Sequence, residues 1–466
     1  MAALAGPTTA AAAARTVFIP ERASLVITGA QRTDLAGASV AAAGDVNGDG
    51  KADVIVGAPL ADPAGRVDAG AAYVVFGGGR RGRLNLRALG ARGFPIIGAS
   101  KRHQHIPIHD DARSLPRRAG AGAVVAGAGD VNGDGLDDLL VSARSPSSAG
   151  LAQPRAVVVV FGKRDRAAVD LEALGAGGFP IVTDENLVSL SSGHAAGDVN
   201  GDGLADIALT LGVFGSEDNG DAAVVFGKAD GAPVDLSGFA VEPTWGLWLV
   251  GAHGDTLGSS IANAGDVNGD GLGDVLIGAD GAGSRTRCCD GAVFVVYGRR
   301  SPGTIIIRSG EPFAGLEIAA PMPGGGFGAS VARLGRGFVA GAPGNVLAKP
   351  TGPGAVFVIR TPGAPAIRLA GPRRGGPIGY GVSVPGDVDG DGRADVLASG
   401  HRPSSRVQSA LLFSGTGARI ATYTGLRNTI TTRADAVGAG DTNADGRPDL
   451  LFGSPGANSA YLLTAP

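Results

Sequence analysis

The chain has 466 residues, a formal charge of -3, 44% hydrophobic residues, 81 Gly and 28 Pro. Gly at more than twice its usual share, with no three-residue period, excludes long helices, coiled coils and collagen, and the apolar content excludes disorder. The balanced charge argues against a nucleic-acid binder, and no apolar run of about 18 residues is present to cross a bilayer as a helix.

In chain order, residues 1–23 begin with an Ala-rich stretch, MAALAGPTTAAAAAR. It lacks a basic n-region and a strong apolar core, so as written it is a poor signal peptide. It reads as the remnant of one, with an A-x-A-like site before Arg15, if the true start lies upstream. Residues 24–30 (SLVITGA) then open a series of short apolar runs bounded by Gly and Pro, which read as strands. The first full unit is GASVA (37–41), an acidic loop, DVIVGAP (53–59), AAYVVFG (71–77) and FPIIGAS (94–100). The second repeats it as DLLVSAR (138–144), AVVVVFG (156–162) and FPIVTDE (179–185), and the third as DIALTLG (206–212), AAVVFG (222–227) and LWLVGAH (247–253). The fourth has DVLIGAD (274–280), AVFVVYG (292–298) and GLEIAAP (315–321). In the fifth, a degenerate unit at about 315–360, the turn Gly335-Arg336-Gly337 replaces the acidic loop before FVAGAP (338–343), with AVFVIR (355–360) and AIRLAGP (366–372) following. The sixth has DVLASGH (395–401), ALLFSG (410–415) and RIATYTG (419–425), and the seventh DLLFGSP (449–455) and AYLLTAP (460–466).

Seven units of four strands predict an all-β fold: a seven-bladed β-propeller of four-stranded antiparallel blades. The sequence finishes on a third-strand run and begins with a fourth-strand run. Residues 24–30 are therefore expected to complete the last blade and close the ring, hiding the edges that an open array would expose. The expected organisation is one propeller over 24–466 after an N-terminal segment, 1–23.

The acidic loops occupy 45–53, 130–138, 198–206, 266–274, 387–395 and 441–449. Position 1 is Asp45, Asp130, Asp198, Asp266, Asp387 or Asp441. Position 3 is Asn47, Asn132, Asn200, Asn268, Asp389 or Asn443. Position 5 is Asp49, Asp134, Asp202, Asp270, Asp391 or Asp445, and position 9 is Asp53, Asp138, Asp206, Asp274, Asp395 or Asp449. Gly at position 6 makes the sharp turn that aims alternate side chains at one point, as a hard cation with six to eight oxygen ligands requires. Position 7 (Lys51, Leu136, Leu204, Leu272, Arg393 or Arg447) offers its backbone carbonyl, which leaves its side chain free to vary. Position 12 falls on a strand and carries no Glu, so these are not EF-hands. The all-oxygen set favours calcium over zinc or copper, up to six ions. Five loops carry three aspartates at ligand positions and one carries four, 19 of the 43 acidic residues. Without a cation their mutual repulsion opposes folding.

FGAS…GAP with a D-x-N-x-D-G-x-x-D loop between resembles the FG-GAP repeat of the integrin alpha-chain N-terminal propeller and its bacterial relatives. The resemblance covers about residues 24–466, and six of seven units carry the full loop. It implies a seven-bladed propeller with calcium between first and second strands, and a ligand on the face opposite the calcium loops. The fifth unit departs by lacking its metal loop. No inserted metal-dependent adhesion domain and no RGD are present.

The longest departure from the repeat, 101–118, lies on that opposite face and holds the ligand-contact candidates His103, His105, His109, Asp110 and Asp111. Loops 59–70 and 280–290, the latter with the adjacent Cys288 and Cys289, share the face. Two adjacent cysteines build no disulfide framework. Trp245 and Trp248 flank a strand and read as core packing or a rim contact rather than a sugar platform. His253, Asp255 and Ser259 resemble a triad in composition alone, and no nucleophile elbow is present. The expected function is a non-catalytic, calcium-binding adhesion scaffold, secreted or at the cell surface, monomeric, with a protein or glycan partner and no nucleic acid. The alternative is an extracellular carbohydrate-active lyase or hydrolase on the same scaffold.

Overall fold

The computed structural model describes residues 14–78, 81–99, 120–144, 155–182, 187–213, 220–236, 243–252, 254–283, 290–344, 353–361, 363–371, 377–400, 407–427 and 436–465. Seven sheets form seven blades, and the only α-helix among the described residues is the single turn Ile19–Arg22. Blade 1 runs Val40–Gly44, Asp53–Ala58, Ala71–Val75 and Gly93–Ile97 from the axis outwards, each strand antiparallel to the last. The same order repeats around the ring. The innermost strands touch in sequence, and that of blade 7, Ala436–Gly440, touches that of blade 1. Leu25–Thr28 pairs antiparallel with Ser459–Leu463, with Leu25 opposite Leu462, so the expected closure of the last blade is present.

Each sheet buries both faces, which is why its second and third strands are continuous apolar runs. Seven hydrophobic clusters result, one for each pair of neighbouring blades. Ile55, Val74 and Phe94 of blade 1 meet Leu139, Val141 and Val158 of blade 2 in one of them. Val54, Tyr73 and Leu84 meet Leu25, Ile27 and Leu451 at the junction of blades 7 and 1. The serines of Gly-Ala-Ser (37–39 and 328–330) and Gly-Ser-Ser (258–260) tie blade to blade directly. Ser39 Oγ donates to the Gly122 carbonyl at 3.0 Å, Ser260 Oγ to Gly328 at 2.7 Å and Ser330 Oγ to Gly379 at 2.9 Å.

Five of the seven sheets differ from the expected four strands. A fifth, parallel strand covers the outer edge: Gly82–Asn85 on blade 7, Val169–Asp170 on blade 1, Val234–Asp235 on blade 2, Gly303–Ile306 on blade 3 and Arg15–Phe18 on blade 6. In four cases the strand comes from the next blade's connection between third and fourth strands. Each is followed by a buried anchor: Leu86, Leu171, Leu236, Ile307 and, after the N-terminal strand, Ile19. Blades 4 and 5 end on Gly315–Ala319 and Ile367–Ala370 with no fifth strand among the described residues. The connections that would cover them, 360–366 and 414–418, are short, whereas 76–92 in blade 1 is long enough to reach across.

Candidate metal centres

All six acidic loops join a first strand to a second strand, so they lie at the same end of the ring. Within a loop the backbone wraps around the position-1 carboxylate. Asp45 Oδ1 accepts N–H bonds from Gly48 at 2.8 Å and Asp49 at 3.0 Å, and its Oδ2 accepts from Gly50 at 2.8 Å. Gly50 has φ 81°, the left-handed turn that position 6 was expected to require. The same three bonds recur on Asp130, Asp198, Asp266 and Asp387. Asp441 keeps two of them, from Asp445 and Gly446; its position 4 is Ala444, held at φ 60°.

The position-9 aspartate is the structural staple of each unit. Asp53 is buried, and its two oxygens accept from Val46 at 3.1 Å and Gly77 at 2.8 Å. The first bond fixes the loop and the second fixes the end of the third strand. Asp138, Asp206, Asp274, Asp395 and Asp449 repeat the pair of bonds. Burial pushes the carboxyls of Asp53, Asp138, Asp206 and Asp395 up to about 7, with neighbouring loop aspartates adding to the rise. Asp274 and Asp449 are raised for the same leading reason. A buried acid held towards its neutral form beside other carboxylates is the electrostatic situation that a bound cation relieves.

Position 3 separates the loops into two kinds. Asn132, Asn200 and Asn268 each donate their amide to the position-5 carboxylate, at 3.0, 2.8 and 2.8 Å. Asp389 has no amide to give. In that loop Asp387, Asp389 and Asp395 can bring one carboxylate oxygen each within 4.8 Å of one another. Burial raises Asp389, and Asp391 and Asp387 push it further. The donor set and this convergence fit a hard divalent cation.

One expectation is corrected. The position-7 side chain is not free. A Cβ at Gly48 would meet Leu136 Cδ2 at 2.9 Å, one at Gly133 would meet Leu204 Cδ2 at 2.9 Å, and one at Gly201 would meet Leu272 Cδ2 at 2.6 Å. Each leucine lies over the position-4 glycine of the preceding loop, and Leu136 and Leu272 are buried. Arg447 approaches Gly390 in the same way. Opposite Ala444 the position-7 residue is Lys51, which turns to Asp49 at 3.4 Å. Asp137, at position 8, joins loop to loop as well: its Oδ2 accepts the Asp45 N–H at 2.7 Å. Where blade 5 lacks a loop, Gly335 turns at φ 60°, and the Arg333 guanidinium stands against Gly265, just before Asp266.

Three clefts of about 400, 550 and 510 Å³ border these loops, beside Asn47 and Asp49, beside Asn132 and Asp134, and between Asp387 and Asp441. At the other end, Arg66 in the 59–70 loop makes a bidentate pair with Asp170, both bonds 2.7 Å, and reaches Glu172 at 3.2 Å. Trp248 is buried and Trp245 packs edge-on to it at 5.9 Å, as core residues. Ser259 Oγ donates to the Gly328 carbonyl and accepts from the Asp280 N–H, so it serves the blade junction. His103, His105, His109, Asp110, Asp111, His253, Cys288 and Cys289 lie outside the described residues.

Comparison with known proteins agrees with this geometry. The FG-GAP repeat model matches residues 36–75 and 257–296, and an FG-GAP-like repeat model matches 387–452. A stretch of 140 residues is 36% identical to integrin alpha pat-2 of Caenorhabditis briggsae; it covers 30% of this chain and 10% of that protein. With matched repeats in blades 1, 4 and 6 to 7 and a ring of seven blades, the chain is an integrin-like FG-GAP propeller.

Proposed function

We propose that this chain is a non-catalytic, calcium-stabilised propeller, secreted or at the cell surface, that binds a protein or glycan through the end opposite its acidic loops. Residues 24–466 form the propeller unit in this reading. The observation that carries it is the sixfold recurrence, at one end of the ring, of a buried aspartate raised by burial at the close of an acidic loop, with three carboxylates converging in the loop 387–395. Positions 1, 3, 5 and 9 and the position-7 carbonyl would hold the ion, and the ion supplies the positive charge that lets the buried carboxylate ionise. The resemblance to an integrin alpha chain supports an extracellular adhesion role. The opposite end presents Val67, 68% exposed, on a loop fixed by the Arg66–Asp170 pair, and function on a rigid scaffold concentrates in such loops.

The test is a melt with and without EDTA, together with a count of bound calcium. Chelation is expected to lower the melting temperature by more than about 10 °C, because the ions bind the folded chain and not the unfolded one. Asp270→Ala is expected to lower the calcium count by one. An unchanged melt with no calcium bound would reject the reading. Protein and glycan arrays probed with calcium present test the ligand end.

A further inference from the structure

The acidic loops are joined to one another, and the joints are not equal. The position-8 N–H of one loop donates to the position-1 carbonyl of the loop before it: Ala52 to Asp441 at 3.2 Å, Asp137 to Asp45 at 3.2 Å, Ala205 to Asp130 at 2.9 Å and Gly273 to Asp198 at 2.7 Å. These bonds string the loops of blades 7, 1, 2, 3 and 4 into one series. Packing reinforces it, with Leu136, Leu204 and Leu272 over the preceding glycines.

The series is interrupted on both sides of the loop 387–395. Blade 5, before it, has no acidic loop, and nothing lies within 4 Å of a Cβ at Gly269, where the next leucine would pack. After it, position 8 of the following loop is Pro448, which has no N–H to give to the Asp387 carbonyl. The cleft of about 510 Å³ between Asp387 and Asp441 opens at this joint and is lined by Pro448 and Arg447. The isolated loop is also the one with Asp389 in place of the amide.

Position 8 lies between two expected ligands, the position-7 carbonyl and the position-9 carboxylate. Its peptide plane is fixed when they are fixed. Its hydrogen bond then holds the residue that supplies the first ligand of the loop before. From this, and resting on the calcium reading above, we infer that the propeller has two classes of calcium site: five linked loops that load cooperatively, and the loop 387–395, which loads on its own. Each ion bound in the series holds one ligand-bearing residue of a neighbouring site in place, so the neighbour binds with less ordering left to do.

Calorimetric titration of calcium into the metal-free full-length chain tests this. Two phases are expected, one of five ions with a steep transition and one of a single ion. Asp391→Ala should remove the single-ion phase and leave the five-ion phase in place. Asp202→Ala, in a loop bonded to a neighbour on each side, should remove one ion and weaken binding at the remaining linked loops by about fivefold. Ala205→Pro copies the proline that the chain itself carries at position 448. It should leave six ions bound while flattening the five-ion transition. Six equal and independent ions in the unmodified chain would overturn the coupling and leave the calcium reading standing. So would an Asp391→Ala shift as large as that from Asp202→Ala. No calcium binding at all would overturn both.

Discussion

Asp34 is 1% exposed, and its carboxylate accepts the Gln31 N–H at 2.7 Å. Burial pushes its pKa above the ordinary value, Asp62 adds to the rise, and the N–H bonds only partly offset it. A raised carboxyl favours the folded chain fully below about pH 4, and that contribution is lost as pH climbs through the raised value. Asp34→Asn keeps an acceptor for Gln31 and has no charge to bury. Thermal melts should show the two chains alike near pH 4 and the variant more stable at pH 8; a variant less stable at pH 8 would refute this. Residues of this kind divide by how far they reach. The acidic loops are legible in the sequence because each is nine consecutive residues and recurs six times. Asp137 is not legible, because the N–H it serves, on Asp45, is 92 residues away. Leu136, Leu204 and Leu272 carried a signal that was open to reading: an apolar side chain repeated in an acidic loop needs a surface to cover.

At the scale of the element, the four main strands of each blade follow from composition and the added outer strands do not. Apolar runs of four to seven residues between Gly and Pro mark a strand whatever it pairs with. Val169–Asp170 and Val234–Asp235 are two residues long, too short for any periodicity to show. They are strands because the neighbouring blade offers an edge and because the next side chain finds a pocket. Leu236 is 1% exposed, and its N–H donates to the Val182 carbonyl at 2.8 Å. Leu236→Ala should therefore cost about 3 kcal/mol in urea denaturation. Ile306→Ala, on a side chain 56% exposed in the equivalent strand of blade 3, should cost much less. Equal losses would mean that the outer strands are held by their backbone pairing alone.

Across the whole molecule, blade number and ring closure were legible because seven similar units, with a fourth strand to spare at the start and one lacking in the last unit, admit few arrangements. Closure divides the core among seven blade junctions, each with its own cluster. The cover on the outer rim depends instead on connection length. Among the described residues it is missing at two adjacent blades, where Gly315–Ala319 and Ile367–Ala370 are outermost. Backbone amides there that face outwards have no strand beside them among the described residues, whereas those of Gly93–Ile97 or Gly246–Val250 have a neighbouring strand. Deuterium uptake should accordingly be uneven around the rim, with peptides from 315–319 and 367–370 labelling well before those from 93–97 and 246–250. Uniform labelling would show that rim pairing contributes no protection. The circle is sevenfold in its chain trace, but its resistance to solvent should be lopsided, with local opening beginning along one continuous arc.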